Sequence, residues 1–332
     1  MISSISAVTF EAYGKPSEVV RVSRLDLPGI LPNEVLIKTM MAPINPADLN
    51  ILEGTYAALP ESLPAIAGTE SIGVITAKGV AVPNTFKVGQ QVVAPLRPGR
   101  WCEAYIASHE QLIGVPPGIP PEQAAMISVN PPTAWRLLHD FAKLKPGDWV
   151  IQNAANSGVG RAVIQIAKSK KLKTVSIVRR PERVEELKAL GADVVVVHNE
   201  HMNQEIREQT GGAKLRLGLN GTGGHILSDM VKQLSPGGTV VTYGAMAKKP
   251  FMLSNAQFIF RDIRACGFWI TAWYRNAKGT DIQEMFLDLS GLMKSGKIHV
   301  PVEQVYPMRE IQAAIEHADR EGRSGKILLG IG

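Results

Sequence analysis

The alternation of short apolar strands with amphipathic helices between residues 149 and 197 constrains the fold of this chain most strongly. The pattern predicts strands at 149–152, 174–178 and 194–197, and helices at 159–168 and 181–190. Strands that are apolar on both faces, linked by helices, are typical of a parallel sheet covered on both sides. Further segments at 215–219, 226–234, 238–243 and 267–270 extend this pattern to a doubly wound α/β sheet of six strands.

The regions on either side of this pattern have a different texture. Short β-branched or alternating runs at 35–38, 71–77, 91–95 and 104–107 predict a β-rich N-terminal lobe, and helices are expected at 122–129 and 133–144. After residue 271, only a helix at 282–294, a strand at 304–307, a helix at 308–318 and a strand at 326–329 are expected. These elements are too few for a domain. We therefore predict one domain formed by residues 1–127 and 271–332, with residues 128–270 inserted into it.

Composition narrows the class of protein. The chain has 332 residues, of which 45% are hydrophobic and 20% charged, as expected for a globular protein. No apolar run approaches the roughly 18 residues of a membrane helix, and residues 1–10 lack the features of a secretory or organelle leader, so we expect a soluble, cytoplasmic protein without a membrane partner. The net charge of +6 is spread along the chain, which favours a small anionic ligand over nucleic acid. Cys102 and Cys266 cannot build a disulfide framework and are predicted to be buried thiols.

A glycine-containing turn follows the strand at 149–152 directly. It runs from Asn153 to Gly160, and a helix is expected to begin at its end. Compared with the dinucleotide pattern G-x-G-x-x-G, Ala155 and Ser157 replace the first two glycines and Gly160 keeps the third. A strand before the turn and a helix after it favour dinucleotide binding over an ordinary strand-to-helix connection.

The end of the second strand indicates which dinucleotide is bound. Enzymes that use NAD usually place Asp or Glu there, against the ribose 2′-hydroxyl, but here the strand ends in Val178-Arg179-Arg180. Guanidinium groups pair with a 2′-phosphate through parallel charged hydrogen bonds, so the predicted cofactor is NADPH. The alternative is that this basic pair merely solvates a strand end.

With these features in place, the chain resembles the medium-chain dehydrogenase/reductase superfamily over almost its whole length. The resemblance implies a GroES-like, β-rich catalytic domain split around a Rossmann domain. The runs at 129–136, 150–160, 243–248 and 267–270 are similar to those of trans-2-enoyl thioester reductases of the mitochondrial enoyl-CoA reductase type. This branch implies NADPH-dependent reduction of trans-2-enoyl thioesters, carried by coenzyme A or acyl carrier protein, in fatty acid metabolism.

The zinc ligands of the superfamily's alcohol dehydrogenases have no counterparts here. The run Asn45-Pro46-Ala47-Asp48 stands where those enzymes have a Cys, and Gly68-Thr69-Glu70 stands where they have a His. Without a thiolate and an imidazole, the remaining carboxylates do not make a stable tetrahedral zinc site, so we expect no catalytic metal.

The resemblance also assigns candidate site residues. The tyrosine of the family's Gly-x-Tyr run corresponds to Tyr56, which is implied to donate a proton to, or polarise, the substrate. The residues that match the family's NADPH contacts are Asn130, Asn156, Ser157, Gly158, Val159, Arg179, Arg180, Tyr243, Gly244, Ala245, Met246, Phe268, Trp269, Ile270 and Lys326. The loop after Val178 is one residue shorter than in the mitochondrial enzyme, so Arg183 is a further candidate for the 2′-phosphate.

Two other functions remain open from the sequence. A zinc-free NADPH:quinone oxidoreductase shares the fold and cofactor but needs no acid at Tyr56, and a nonenzymatic NADPH-binding protein is also compatible with the fold. The apolar run 267–270 is expected at the sheet edge, where Phe268 and Trp269 would be exposed unless something covers them, so a homodimer is predicted. The alternative is a monomer whose C-terminal segment folds over this edge. The sequence does not decide acyl chain length or the thioester carrier.

Overall fold

The computed structural model describes residues 4–95 and 98–332, and these fall into two compact units. The split unit comprises Met1–Val129, Tyr274–Lys294 and His299–Gly332. The inserted unit comprises Asn130–Trp273 and Ser295–Ile298. The domain limits expected after residues 127 and 270 stay a prediction, which the unit borders at Val129 and Trp273 support.

The N-terminal part of the split unit is mostly β-structure. Its elements are β1 (Ser4–Phe10), α1 (Pro16–Val19), β2 (Val20–Asp26), β3 (Glu34–Pro43), α2 (Pro46–Leu52), β4 (Ala65–Ile66), β5 (Ile72–Lys78), β6 (Gln91–Val93), β7 (Ala104–Ser108), β8 (Ile113–Gly114) and α3 (Pro121–Ala124). The middle of the chain alternates α4 (Asn130–Asp140), β9 (Trp149–Gln152), α5 (Gly158–Ser169), β10 (Lys173–Val178), α6 (Val184–Leu190), β11 (Val194–Val197), α7 (Met202–Thr210), β12 (Leu215–Asn220), α8 (His225–Gln233), β13 (Leu234–Thr242), α9 (Asn255–Ile259), β14 (Arg264–Gly267) and α10 (Ile270–Asn276). The chain ends with α11 (Gly279–Lys294), β15 (Val302–Pro307), α12 (Ile311–Asp319) and β16 (Lys326–Gly330).

The last elements of the chain complete the sheet of the split unit, as predicted. The strand order is β15-β16-β3-β5-β6-β8, with β7 also pairing with β3, and a smaller sheet has the order β2-β1-β4. Strand β16 runs antiparallel to β3. Helix α12 contributes Ile311 and Ile315 to an apolar core that includes Phe10, Ile44 and Trp101, each no more than 2% exposed. Burial of these side chains holds the two sequence-distant halves of the unit together.

The inserted unit confirms the predicted doubly wound sheet. Its six strands are all parallel, in the order β11-β10-β9-β12-β13-β14. Successive strands are added to one side of β9 and then, from β12, to the other. This reversal creates a crevice at the carboxyl ends of β9 and β12, which is where sheets of this kind bind nucleotides. The core against the sheet includes fully buried Ile151, Val175 and Ile177.

Several predicted boundaries were wrong. The edge strand covers Arg264–Gly267 rather than 267–270. The prediction missed it because the residues of this strand are exposed and have no apolar pattern. The apolar residues that follow it pack instead: Phe268 forms an edge contact with Phe141, at 5.8 Å between ring centroids, and Ile270 begins α10, which was not predicted. Helix α4 begins at Asn130, since prolines fit the first turn of a helix, and ends at Asp140 rather than at 144.

The prediction that both cysteines are buried holds for one of them. Cys102 is buried, and desolvation raises the pKa of its thiol to about 11. Cys266 is exposed because it lies on the edge strand β14. Among the described residues, no helix is both long and apolar enough to cross a membrane.

Candidate active site

The turn between β9 and α5 has the geometry of an anion-binding helix start. Ser157 caps α5, because its Oγ accepts a hydrogen bond from the Gly160 amide at 3.1 Å. The other N–H groups of a first helical turn have no intrahelical acceptor and lie at the positive end of the helix dipole. Ala154 adopts a φ of +50°, which turns the chain sharply out of the strand. This turn therefore suits a pyrophosphate.

Gly160 allows the helix to approach the strand closely. A Cβ atom at this position would lie 2.5 Å from the Ala154 carbonyl oxygen and 2.6 Å from the Ala155 Cα. Both are backbone atoms, so they cannot swing aside as a flexible side chain could. Gly160 therefore has the packing role of the third glycine in the dinucleotide pattern.

A ladder of buried polar side chains braces the crevice. Asn153 Nδ2 donates to Asn220 Oδ1 at 2.7 Å, and Asn153 Oδ1 accepts from the Gly221 amide at 2.8 Å. Asn220 Nδ2 in turn donates to Thr242 Oγ1 at 3.1 Å. These bonds join the carboxyl ends of β9, β12 and β13. Neither Asn153 nor Asn220 was predicted as a site residue, and the available signal was an asparagine at the end of each of two buried apolar strands.

Tyr243 lies beside the same turn, and the surroundings of its hydroxyl indicate whether a nucleotide would fit there. A Cβ atom on Gly221 would lie 2.7 Å from the Tyr243 hydroxyl, so this hydroxyl covers the end of β12. The oxygen is buried and makes no hydrogen bond among the described residues. Burial raises the pKa of Tyr243, and the nearby Ser157 side chain opposes that shift. A neutral, unsatisfied donor facing the helix start fits a phosphate or ribose oxygen.

The predicted NADPH contacts other than the turn itself and the arginines lie at three places in the inserted unit. Asn130 packs against the phosphate turn, because a Cβ on Gly158 would lie 3.0 Å from both Cγ and Nδ2 of Asn130. The residues after β13 are partly or fully exposed, from Gly244 and Ala245 to Met246, which is 58% exposed. Phe268, Trp269 and Ile270 follow the edge strand. The structure thus brings Asn130, Ser157, Gly158 and Tyr243 together at the turn.

The three candidate arginines for a 2′-phosphate differ in their surroundings. Arg179 is exposed and Arg180 partly buried, directly after β10. Arg183 donates to Glu186 at 2.9 Å, and Glu186 also pairs with the buried Arg161. Burial alone would raise the pKa of Glu186, but the hydrogen bonds from Arg161 and Arg183 outweigh it and lower that pKa. Arg179 and Arg180 directly follow the second strand, the position at which sheets of this kind recognise the cofactor ribose, and they stay the predicted 2′-phosphate contacts.

Tyr56 lies in the split unit, in the loop that follows α2. The Gly54 amide donates to the Ile51 carbonyl at 3.0 Å and the Thr55 amide to the Asn50 carbonyl at 2.9 Å, and Gly54 has a φ of +77°. These bonds shape the turn immediately before Tyr56. The Tyr56 side chain is partly buried.

Lys326, the remaining predicted NADPH contact, lies in the split unit within a cluster of polar side chains that was not predicted from the sequence. We call Asn45, Asp48, Glu70 and Lys326 the buried polar cluster. Lys326 is 8% exposed and donates to Asn45 Oδ1, while Asn45 Nδ2 donates to Glu70 Oε2 at 3.0 Å. Asp48 accepts from the Asn45 amide at 2.7 Å and from Thr69 Oγ1 at 2.8 Å.

Burial dominates the electrostatics of this cluster. Desolvation raises the pKa of Asp48 to about 6 and also raises the pKa of Glu70, although hydrogen bonds and the Lys326 charge oppose both shifts. Desolvation lowers the pKa of Lys326 to about 8, against the attraction of Glu70 and Asp48. Asn45, Asp48 and Glu70 lie in the two sequence runs that, by resemblance, stand where alcohol dehydrogenases have zinc ligands. No group of three or more His, Cys, Asp or Glu side chains among the described residues could hold a metal ion.

Comparison with known proteins agrees with this architecture. Residues 31–129 match the family model of the alcohol dehydrogenase GroES-like domain, and residues 158–287 match the model named zinc-binding dehydrogenase. The mitochondrial enoyl-[acyl-carrier-protein] reductase of Mus musculus is 40% identical over 98% of this chain and 89% of its own length. The Arabidopsis thaliana protein of the same name is 38% identical over 97% of this chain and 87% of its length.

Solved structures give the same picture. The complex of Etr1p with NADP and crotonyl-CoA has a TM-score of 0.88 at 26% identity, covering 98% of this chain and 99% of that one. The mitochondrial 2-enoyl thioester reductase Etr1p/Etr2p heterodimer of Candida tropicalis has the same score at 27% identity, covering 99% and 100%. A quinone oxidoreductase of Pseudomonas syringae scores 0.86 at 26% identity, covering 98% and 99%. On the strength of its full-length relatives, the chain belongs to the enoyl thioester reductases of the medium-chain dehydrogenase/reductase superfamily.

Proposed function

We propose that this protein reduces trans-2-enoyl thioesters to saturated acyl thioesters with NADPH, as part of fatty acid metabolism. The observation that carries the proposal is a phosphate turn followed, one strand later, by two arginines and no carboxylate, in a member of this reductase family. The names of its relatives specify an acyl-carrier-protein substrate, and crotonyl-CoA is bound in a related structure. Both carriers are therefore retained as substrates.

The inserted unit would hold the cofactor. The start of α5, capped by Ser157, would bind the pyrophosphate, and the Tyr243 hydroxyl and the Asn130 amide would bind neighbouring polar atoms. Arg179 and Arg180 would pair with the 2′-phosphate. When bound, NADPH supplies a hydride.

Tyr56 is proposed as the donor on the substrate side. Addition of hydride to the β-carbon of the substrate leaves an enolate, which needs a hydrogen-bond donor at its oxygen and then a proton at the α-carbon. A phenol, with a reference pKa of about 10, is protonated at neutral pH and can supply both. No metal is required for this chemistry.

The second candidate function is quinone reduction, which the Pseudomonas syringae structure favours. The two functions are separated by NADPH consumption with crotonyl-CoA, a long-chain 2-enoyl-CoA and a quinone, measured on the same preparation. We expect the enoyl thioesters to be reduced with much higher kcat/KM. Turnover of the quinone alone would contradict the proposal, and no turnover of any of the three would favour a nonenzymatic NADPH-binding protein.

Replacing Tyr56 by Phe tests the donor. General acid catalysis typically contributes about 10² to 10⁴ in rate, so kcat for crotonyl-CoA should fall about a hundredfold or more, whereas any quinone reduction should be unchanged. Tyr13→Phe is the matched control, because Tyr13 is 39% exposed and its ring packs against Gly54 of the same loop. An equal loss on both substrates, or a loss with the Tyr13 variant, would contradict the role of Tyr56.

Two finer expectations stay proposals. A homodimer would be formed through the exposed edge strand β14, and the related Etr1p/Etr2p heterodimer shows that a related chain assembles in pairs. The cytoplasmic location expected from the sequence stays a prediction, although the named relatives are mitochondrial.

A further inference from the structure

Glu70 lies at the point where the chain leaves the split unit. Its Oε1 atom accepts hydrogen bonds from the Ser128 amide at 2.8 Å, the Ser128 hydroxyl at 3.0 Å and the Val129 amide at 2.8 Å. The residue is 2% exposed. One buried carboxyl oxygen therefore holds both residues of this segment through three hydrogen bonds.

The segment where the chain returns to the split unit is tied to the same place. The Tyr274 hydroxyl donates to the Ser128 carbonyl at 2.9 Å. Tyr274 is the first residue of the split unit after the inserted one, and Val129 is the last residue before it. The chain passes between the two units four times, and at the crossings after Val129 and before Tyr274 the residues on the split-unit side are held by bonds that converge on Ser128 and Val129.

Val129 is followed directly by Asn130, whose side-chain amide packs on Gly158 at the start of α5. The position of the Asn130 backbone depends on Ser128 and Val129, and these depend on Glu70. We infer that Glu70 is a positioning residue for NADPH binding, which acts through Ser128 and Val129 on Asn130 at the phosphate turn. This inference rests on the proposed use of NADPH and adds a residue that does not itself belong to the nucleotide-binding unit.

Asp48 provides a matched control. Like Glu70, it is a fully buried carboxyl that contacts Asn45 and is attracted by the Lys326 charge. Unlike Glu70, it accepts its hydrogen bonds from Asn45 and Thr69 and accepts none from residues 128 or 129. A general effect of altering the buried polar cluster would therefore weaken NADPH binding in variants of both residues. An effect through Ser128 and Val129 would weaken NADPH binding only in variants of Glu70.

The test is a titration of NADPH, followed by nucleotide fluorescence, against the intact wild-type protein and the variants Glu70→Gln and Asp48→Asn, with the melting temperature of each apo protein recorded. We expect Glu70→Gln to weaken the NADPH Kd at least tenfold and Asp48→Asn to change it less than twofold. The kcat for crotonyl-CoA at saturating NADPH should fall much less than kcat/KM for NADPH. Equal Kd changes in the two variants, or an unchanged Kd in Glu70→Gln, would overturn the inference.

A milder pair decides the question if Glu70→Gln does not fold. Ser128→Ala removes one donor to Glu70, and Thr69→Val removes the corresponding hydroxyl donor to Asp48. We expect about a threefold weaker NADPH Kd for Ser128→Ala and no change for Thr69→Val, and the reverse order would overturn the inference. A wild-type protein that binds NADPH but reduces no enoyl thioester would contradict the proposed reaction and leave this comparison intact.

Discussion

At the scale of single residues, the proposed contacts at the end of β10 would decide between two cofactors that differ by one phosphate. Arg179 and Arg180 stand where a carboxylate would repel that phosphate, and Arg183 is engaged with Glu186. We expect the double variant Arg179→Ala, Arg180→Ala to raise KM for NADPH about tenfold to a hundredfold, the loss expected for a hydrogen bond between charged groups. KM for NADH should change less than about threefold. Initial-rate kinetics with both cofactors measure the difference.

Arg183→Ala serves as the comparison for that experiment. It removes a guanidinium from the same loop but also an ion pair with Glu186, so we expect a smaller change in KM for NADPH and a loss of thermal stability. Similar increases in KM for NADPH and NADH in the double variant would show that these arginines do not recognise the 2′-phosphate.

Asp48 makes stability depend on pH in a direction opposite to that of an ordinary paired carboxylate. Its pKa is raised from 3.8 to about 6 in the folded protein, so the folded state binds the extra proton between these values. This contribution to stability is present at low pH and is lost as pH rises from about 4 to 6. Two pKa units correspond to about 3 kcal/mol at most.

The variant Asp48→Asn isolates this contribution. Urea unfolding of wild type and variant between pH 4 and pH 7 should show that the wild type loses stability relative to the variant as pH rises. A difference that is constant across this range would mean that Asp48 does not titrate with a raised pKa.

At the scale of elements, the packing of α5 on β9 rests on Gly160. Gly160→Ala places a Cβ about 2.5 Å from backbone atoms, and such overpacking costs about 1 to 3 kcal/mol. Gly291→Ala is the control, because a Cβ on this glycine within helix α11 meets nothing within 4 Å and alanine is the better helix former. We expect the first variant to lower the urea midpoint and the NADPH affinity, and the second to leave both unchanged or raise the midpoint. Equal stability of the two variants would contradict the packing role of Gly160.

Helices and strands with a strong apolar pattern could be predicted from the sequence. Features that depend on which strands lie side by side could not. The strands at 149–152 and 194–197 were predicted with their observed bounds because parallel central strands are apolar throughout. The position of strand β14 was predicted three residues too late because an exposed edge strand has no such apolar pattern. The apolar residues after it lie in a turn and a helix instead. The phosphate turn could be recognised because its chemistry is local. Asn153 and Asn220 could not, since they meet only when β9 and β12 lie side by side.

At the scale of the whole molecule, the least predictable part of the candidate site was the buried polar cluster. Lys326 and Asn45 are separated by 281 positions in the chain, and the Glu70 bonds to Ser128 and Val129 span 58 and 59 positions. No periodicity or motif connects such residues. The resemblance to known reductases marked Lys326 as a cofactor contact, but its burial beside two carboxyls follows only from the way β16 pairs with β3. These contacts between distant residues could therefore be predicted only after the fold was known, whereas the fold itself could be predicted from the local sequence pattern.

The edge of the inserted sheet leads to the last prediction, which concerns assembly. Within the part of the chain that the structure describes, strand β14 pairs with β13 alone, and all its residues are exposed. Helix α9 and the residue after it also expose large side chains, Ile259 by 70% and Phe260 by 80%. An edge of this kind is usually paired or covered. Two-fold pairing of β14 with its counterpart would satisfy the free backbone groups of both copies in one self-complementary contact.

A single substitution can remove that pairing and leave the monomer intact. The Phe268 amide donates to the Thr242 carbonyl of β13 at 2.9 Å, so by alternation along the strand the Ala265 amide points away from β13. Ala265→Pro would delete only this outward donor, which edge strands tolerate, whereas Ala265→Val keeps it. In light scattering at micromolar concentration, we expect the wild type and the Val variant at twice the 35.9 kDa of one chain and the Pro variant at 35.9 kDa with its melting transition retained. A wild-type mass of one chain that persists as concentration rises would reject the homodimer, and a Pro variant that stays dimeric would place the contact elsewhere.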